Sequence, residues 1–411
     1  MKDSGVAWIG EIPDDWQLSK IGALFSERNT RVNDTDYQPL SVTKNGIVPQ
    51  LVTAAKTDNN QDRKLIKKGD FVINSRSDRR GSCGISEYDG SCSLINTVLQ
   101  PNTDICSRYY DYVFHTDLFA DEFYAHGHGI VDDLWSTKWS DMKRMLIPLP
   151  AISNQIAMAS FLETKCSLID EQISNHSAIT QKLKEYKQSL ITETVIHGLD
   201  SDVEMKDSGI LWIGSIPAHW EISKLRSHTH MLTPMRDRPE DLSGPVPWVR
   251  IEDYDGKYIE KSKEGLGVSQ DTIKAMNLKV YPVGSVLCTS SCDLGKCAVV
   301  SKEIVSNQRF INIIPDSDLS TDYLYYLMLS NAERLNQLST GTIQANLSRV
   351  EFEHLLVQFP PLSEQLEISS FLDKKCNEID SSIAKRESLI AKLTEYKKSL
   401  IYEVVTGKKE V

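Results

Sequence analysis

The chain has 411 residues, 40% of them hydrophobic and 25% charged, with a formal net charge of -11. Such a length predicts two or more domains, each with its own core, and the balance excludes a disordered or membrane-spanning chain, which needs an uninterrupted apolar run of about 20 residues. The acidic sum argues against a naked nucleic-acid binder, because phosphate contacts need Lys and Arg, so the local distribution of charge has to decide.

The opening "MKDSGVAWIGEIPDDW" lacks the charged-then-apolar pattern of a signal peptide, which with no membrane segment predicts a cytoplasmic protein. Trp8 and Trp16 in it are expected in a core rather than as base-stacking platforms. A block at 22–148 follows, with a basic region formed by "DRKLIKKGD" and "SRSDRRGS". Its "KKGDFVINSRSDRRGSCGIS" reads as an apolar strand after a Gly turn, then a polar loop, and "YYDYVFHTDLF" as a short amphipathic helix. Pro148 and Pro150 then mark the start of a long helix with Ser153 as its cap. Leu162, Cys166, Ile169, Ile173, Ile179, Leu183, Tyr186 and Leu190 lie three or four apart along it, the spacing of a narrow apolar stripe.

At Met205 the opening returns as "MKDSGILWIGSIPAHW", with Trp212 and Trp220 in the places of the first two tryptophans. A second block at 226–358 carries the matching landmarks "PVGSVLCTSSCDLGKCAVVS" and "DYLYYLMLSNA". Pro360, Pro361 and a capping Ser363 start a second helix, where Leu372, Cys376, Ile379, Ile383, Leu389, Leu393, Tyr396 and Leu400 repeat the first stripe. Each stripe slips by one residue with His176 or Arg386 on the seam, which predicts a local unwinding or a paired polar layer.

The chain is therefore a tandem duplication in which shared segments flank two blocks of faint mutual similarity. The expected division is a domain at 1–149, a helix at 150–197, a linker at 198–204, a second domain at 205–359, and a second helix with its tail at 360–411. The fold class is α+β, with two mixed α/β domains in a pseudo-twofold arrangement separated by two long antiparallel helices forming a coiled coil. A helix of about 40 residues spans about 60 Å, the length of a spacer. Eight cysteines are too few for a disulfide scaffold, so reduced thiols are expected.

The openings "DSGVAWIGEIPDDW" and "DSGILWIGSIPAHW", the helix starts "IPLPAISNQIAMASFLETK" and "PPLSEQLEISSFLDKK", and the helix ends "LKEYKQSLITETVIHG" and "LTEYKKSLIYEVVTGK" together resemble the specificity subunits of type I restriction-modification systems. The resemblance covers essentially the whole chain. It implies that the two blocks are target recognition domains, each reading one half of a split sequence in double-stranded DNA. It also implies that the helices set the gap and dock two DNA methyltransferase subunits, which restriction subunits join. S-adenosylmethionine is then expected on the methyltransferase partners, with no cofactor and no catalytic residue on this chain. Two unlike blocks on one frame should read an asymmetric site with half-site centres roughly 10 base pairs apart.

Arg pairs with guanine and Asn or Gln with adenine, while Lys, Ser and Thr often fix phosphates. The DNA-contact candidates in the first block are accordingly Lys44, Asn45, Arg76, Arg79, Arg80 and Lys138. In the second they are Arg250, Ser290, Lys296, Asn307, Gln308, Arg309, Thr342 and Gln344. Cys288, Cys292 and Cys297 lack a nearby fourth ligand for zinc, and His126, His128, His228 and His230 read as turn and surface residues. No Walker A motif, adenine-methyltransferase Asn-Pro-Pro-aromatic segment or Gly-rich cofactor loop is present. The alternatives are a coiled-coil scaffold that reads no DNA, or a self-contained methyltransferase or nuclease whose motifs have drifted past recognition.

Overall fold

The computed structural model describes residues 1–51, 62–129, 135–235, 237–291, 294–339 and 347–411. Among them no helix is long and apolar enough to cross a membrane, and the seven described cysteines are free thiols. The chain divides into two compact units, 1–177 with 387–411, and 178–386. The division falls inside the two long helices, so each unit holds one block, the first half of the helix that follows it, and the second half of the other helix.

Both blocks are built on the same antiparallel strand order. In the first unit it runs Phe25–Glu27, Asn96–Pro101, Phe71–Asn74, Cys83–Ile85. In the second it runs Thr229–Leu232, Phe310–Pro315, Val286–Thr289, Cys297–Val300, with Tyr258–Ile259 added in parallel. The central strands are apolar and β-branched because they are covered on both faces. Phe71–Asn74 and Val286–Thr289 are each entered through a glycine in the left-handed region, Gly69 at φ 91 and Gly284 at φ 85, which is why the Gly turn recurs where the blocks otherwise diverge. A three-stranded sheet lies beside each: Gly90–Cys92, Arg63–Ile66 and Arg31–Val32 in one, Gly267–Val268, Val246–Val249 and Val305–Ser306 in the other. The expected short helices are Ser107–Phe114 and Thr321–Ser330, whose Tyr109, Phe114, Tyr323 and Leu327 are buried.

The shared segments form the neck of each domain. Gln17–Lys20 pairs with Leu146–Leu149, and Glu221–Lys224 with Leu356–Phe359, so the strand that opens a block is zipped to the strand that closes it. The helix starts immediately beyond. Ser153 and Ser363 do not cap it, because both lie inside the helices, which run Ile152–His197 and Leu362–Val405. The first-turn amides are instead taken by the Ala151 and Pro361 carbonyls, and a buried glutamine ties the start to the domain. Gln155 Nε2 donates to the Pro150 carbonyl and its Oε1 accepts the Cys106 N–H, both at 2.9 Å. Gln365 repeats this with the Pro360 carbonyl at 2.9 Å and the Ser320 N–H at 2.8 Å, and adds the Asp318 carbonyl.

Three of the four opening tryptophans, Trp8, Trp16 and Trp220, are buried as expected. Trp212 is not. It is 41% exposed with the Arg334 guanidinium 4.0 Å above its ring, whereas Trp8 packs edge-on against Phe119 at 5.6 Å. A cation over the exposed indole face stands where the first unit has an aromatic ring.

Within each unit the two helix halves run antiparallel. In the first, Asn154 and Met158 share a cavity with Gly407 and Val411, while Asp170 pairs with Lys397 at 2.7 Å. In the second, His197 lies beside Glu364 and Ile368, while Lys187 pairs with Asp380 at 2.6 Å. Of the seam residues, Leu162, Cys166, Ile169, Leu372, Cys376, Ile379, Ile383 and Leu400 are buried, and Ile173, Leu183, Leu190 and Leu393 are half-buried. Ile179, Tyr186, Leu389 and Tyr396 are exposed, contrary to the stripe. Both helices continue through His176 and Arg386 without the expected unwinding, so the stripe rotates by about 20° per heptad and carries these four side chains off the seam.

Candidate nucleic-acid interface

In each block three loops meet at a serine just past the central strand, at the opposite end of the sheet from the neck. Ser75 Oγ donates to the Ile95 carbonyl at 2.6 Å, and the Ser75 carbonyl accepts the Thr137 N–H at 2.9 Å. At the matching place Ser290 N–H donates to the Arg309 carbonyl at 2.8 Å, and its carbonyl accepts the Leu347 N–H, also at 2.8 Å. Ser290 is itself buried, so it holds the loops together and leaves contact with a ligand to its neighbours.

Most of the second block's candidates gather at this junction. Arg250 is brought beside the 307–309 turn because the Val249 carbonyl accepts the Asn307 N–H at 3.3 Å. The Arg250 guanidinium pairs with Glu264 at 2.6 Å, which raises its pKa, and its buried Nε has no hydrogen-bond partner among the described residues. Asn307 shapes the turn, its Oδ1 accepting the Arg309 N–H at 3.1 Å, and leaves Gln308 and Arg309 exposed at the tip. Lys296 is exposed across the hairpin, where its carbonyl accepts the Thr289 N–H at 3.0 Å. Thr342 and Gln344 lie outside the described residues.

The first block's candidates divide between two places. The 75–80 loop is bonded to 135–137 through Ser77 N–H to the Trp135 carbonyl at 3.1 Å and a bridge between Arg76 and Ser136, which sets Lys138 next to Arg76. All three arginines are matched to acids, Arg76 and Arg79 to Asp78 at 3.0 and 3.6 Å, and Arg80 to Asp121. These pairs are exposed, so phosphate can displace the carboxylates at little cost. Lys44 and Asn45 instead form the exposed turn between Leu40–Thr43 and Gly46–Pro49. That hairpin presses so closely on Cys83–Ile85 that a Cβ at Gly84 would sit 2.9 Å from the Gly46 Cα.

The first block's counterpart of the 307–309 turn carries no charged or amide side chain at its tip, so polarity does not mark it in the sequence. Aligned on Pro101 and Pro315, "SLINTVLQP" matches "NQRFINIIP" and sets Ser93, Leu94 and Ile95 opposite Asn307, Gln308 and Arg309. The two turns occupy the same place before the same strand, and Leu94 and Ile95 are both exposed. Beside them opens a cleft of about 540 Å³ lined in part by Ser136, Lys138, Trp139 and Lys143.

The histidines take structural roles. His126, His128 and His230 are exposed, while His228 is half-buried at the neck between Asp318 at 2.6 Å and Ser223 at 2.8 Å. Cys288 and Cys297 face each other across paired strands as buried thiols, and Cys292 lies outside the described residues. Among the described residues no three His, Cys, Asp or Glu side chains are grouped to hold a metal ion.

Residues 220–390 match the family model of the type I restriction modification DNA specificity domain. The chain is 28% identical over 198 residues to the MjaIX type I restriction enzyme specificity subunit of Methanocaldococcus jannaschii, an alignment that spans 44% of the chain and 45% of that relative, less than half of either. Against the putative MjaX specificity subunit of the same organism it is 20% identical over 424 residues, covering 97% of the chain and 95% of the relative. The fold matches a chain from a structure of complex assembly and conformational transition in the type I R-M system, with a TM-score of 0.76 at 14% identity, over 97% of this chain and 100% of that one. The duplicated neck-and-helix frame and these likenesses point the same way: the chain is similar to type I restriction-modification specificity subunits over nearly its whole length.

Proposed function

We propose that this chain reads an asymmetric two-part sequence in double-stranded DNA, one block per half, and carries two adenine-specific DNA methyltransferase subunits that restriction subunits join in the cytoplasm. The observation that carries the reading is the pair of equivalent loop junctions at Ser75 and Ser290, where the same three loops meet and present different side chains. A duplicated frame with identical heads would call for a palindrome, and unlike heads call for unlike half-sites.

A second observation supports the docking of two like partners. Each unit exposes the same four apolar positions on its helix halves: Ile152, Ile156, Leu389 and Tyr396 in the first, Leu362, Leu366, Ile179 and Tyr186 in the second. Residues that the duplication keeps apolar, and the fold leaves in water, fit a surface covered twice by the same protein. Bond-making is assigned to the partners, which bind S-adenosylmethionine and flip the target adenine out of the duplex. The test is to express the chain with its methyltransferase and map methylated adenines. One two-part asymmetric motif with a fixed gap is expected, and methylation without a defined motif, or at an unbroken palindrome, contradicts the function.

A further inference from the structure

The two equivalent turns differ in kind. Gln308 and Arg309 are polar and suited to purine edges, whereas Leu94 and Ile95 are aliphatic, exposed, and part of no core cluster among the described residues. Each keeps 36% of its surface open to water, apolar area that a ligand could still cover. Their backbone is nonetheless fixed. The Ile95 carbonyl is held by Ser75 Oγ at 2.6 Å, and Asn96 closes the turn with its N–H and Nδ2 on the Ser93 carbonyl at 3.1 and 3.2 Å. A preordered apolar tip loses little entropy on binding. Lys138 and Lys143, both exposed and neither in an ion pair among the described residues, flank the cleft beside it and suit phosphates. The apolar group that a base edge offers in the major groove is the 5-methyl of thymine.

We propose that the first block reads thymine through its 5-methyl group with Leu94 and Ile95, at the place where the second block turns Gln308 and Arg309 toward purine edges. This rests on the DNA-reading function proposed above. The two half-sites are then recognised by different chemistry, apolar contact in one and hydrogen bonding in the other, from the same backbone turn.

The test uses the full chain in complex with its methyltransferase, and duplexes in which each thymine of the first block's half-site is replaced singly by deoxyuridine, which removes only the methyl. One replacement should weaken binding about fourfold, the loss for one buried methyl-sized group. The Leu94→Ala/Ile95→Ala variant should show no such loss, and Leu94→Gln/Ile95→Arg should shift the preferred base at that position from thymine to a purine. The inference is overturned if that half-site contains no thymine on either strand, if every replacement is tolerated, or if the double-alanine variant keeps the loss. Absence of any sequence-specific binding overturns the DNA-reading function, and this inference with it.

Discussion

At the neck the two halves repeat the same bonds on the same residue types, and at the loop end they link the same loops while changing the side chains at the tips. Gln155 and Gln365 each accept an N–H from a block and return a donor to the proline before the helix. At Ser75 and Ser290 the corresponding links run between backbone groups or from a serine hydroxyl, so they survive whatever side chains stand beside them. A buried amide that satisfies several backbone groups is expensive to change, whereas an exposed loop tip is cheap. The difference shows how one fold stays fixed at the frame and free at the loop end.

That contrast is broken most severely in the helix seam. Leu162→Ala and Leu372→Ala, at fully buried positions that correspond in the two repeats, should each cost about 3 kcal/mol in chemical denaturation, while Tyr186→Ala and Tyr396→Ala should stay within about 0.5 kcal/mol and weaken only methyltransferase binding. Equal losses from tyrosine and leucine would remove the distinction between seam and proposed docking surface. Next come the neck glutamines. Gln155→Leu should cost about 2 kcal/mol, and Gln365→Leu somewhat more because it strands a further carbonyl.

A smaller effect separates the two blocks. His115, past the end of a short helix, sets Nδ1 at 2.8 Å from the Asp111 carbonyl and Nε2 at 3.1 Å from the Cys83 carbonyl, where Asn331 in the second block donates to the Leu327 carbonyl at 2.9 Å without charge. Burial alone would pull the imidazole pKa down, but the Asp111 carboxylate, 3.4 Å from Nδ1, and the neighbouring Cys83 side chain push it up to about 11. Because the folded value is raised, its stabilisation is complete below the ordinary histidine pKa and is lost as pH rises toward the folded value. His115→Asn should therefore cost about 1 kcal/mol at pH 6 and progressively less on the alkaline side, as read by denaturation midpoints across pH. A pH-independent loss would contradict the imidazolium. The smallest effect falls on the cross-helix ion pairs, where Asp170→Asn and Asp380→Asn should each cost about 0.5 kcal/mol and respond to salt.

The frame was legible in the sequence because duplication writes each of its requirements twice. The aromatic, proline and leucine positions recur at one offset, and the central strands follow their Gly turns. What escaped has physical causes. Ser153 and Ser363 look like caps, but the glutamines two residues on bond to the domain, and a local motif cannot reveal a partner 49 residues away. Ile179 and Tyr186 fit the stripe in one dimension and rotate off it along a continuous helix. Trp212 repeats a buried tryptophan and lacks only its cover, which belongs to the divergent block. At the loop end the turn at 307–309 stands out by its polar side chains, whereas Leu94 and Ile95 look like core residues and only the alignment on Pro101 and Pro315 marks the same place.

The most direct measurement is an exchange of residues 22–148 for the corresponding block of another specificity subunit, followed by mapping of methylated adenines in cells that also express the methyltransferase. The account predicts that one half of the motif changes while the other half and the gap stay as they were. A change in both halves, or in neither, would contradict it.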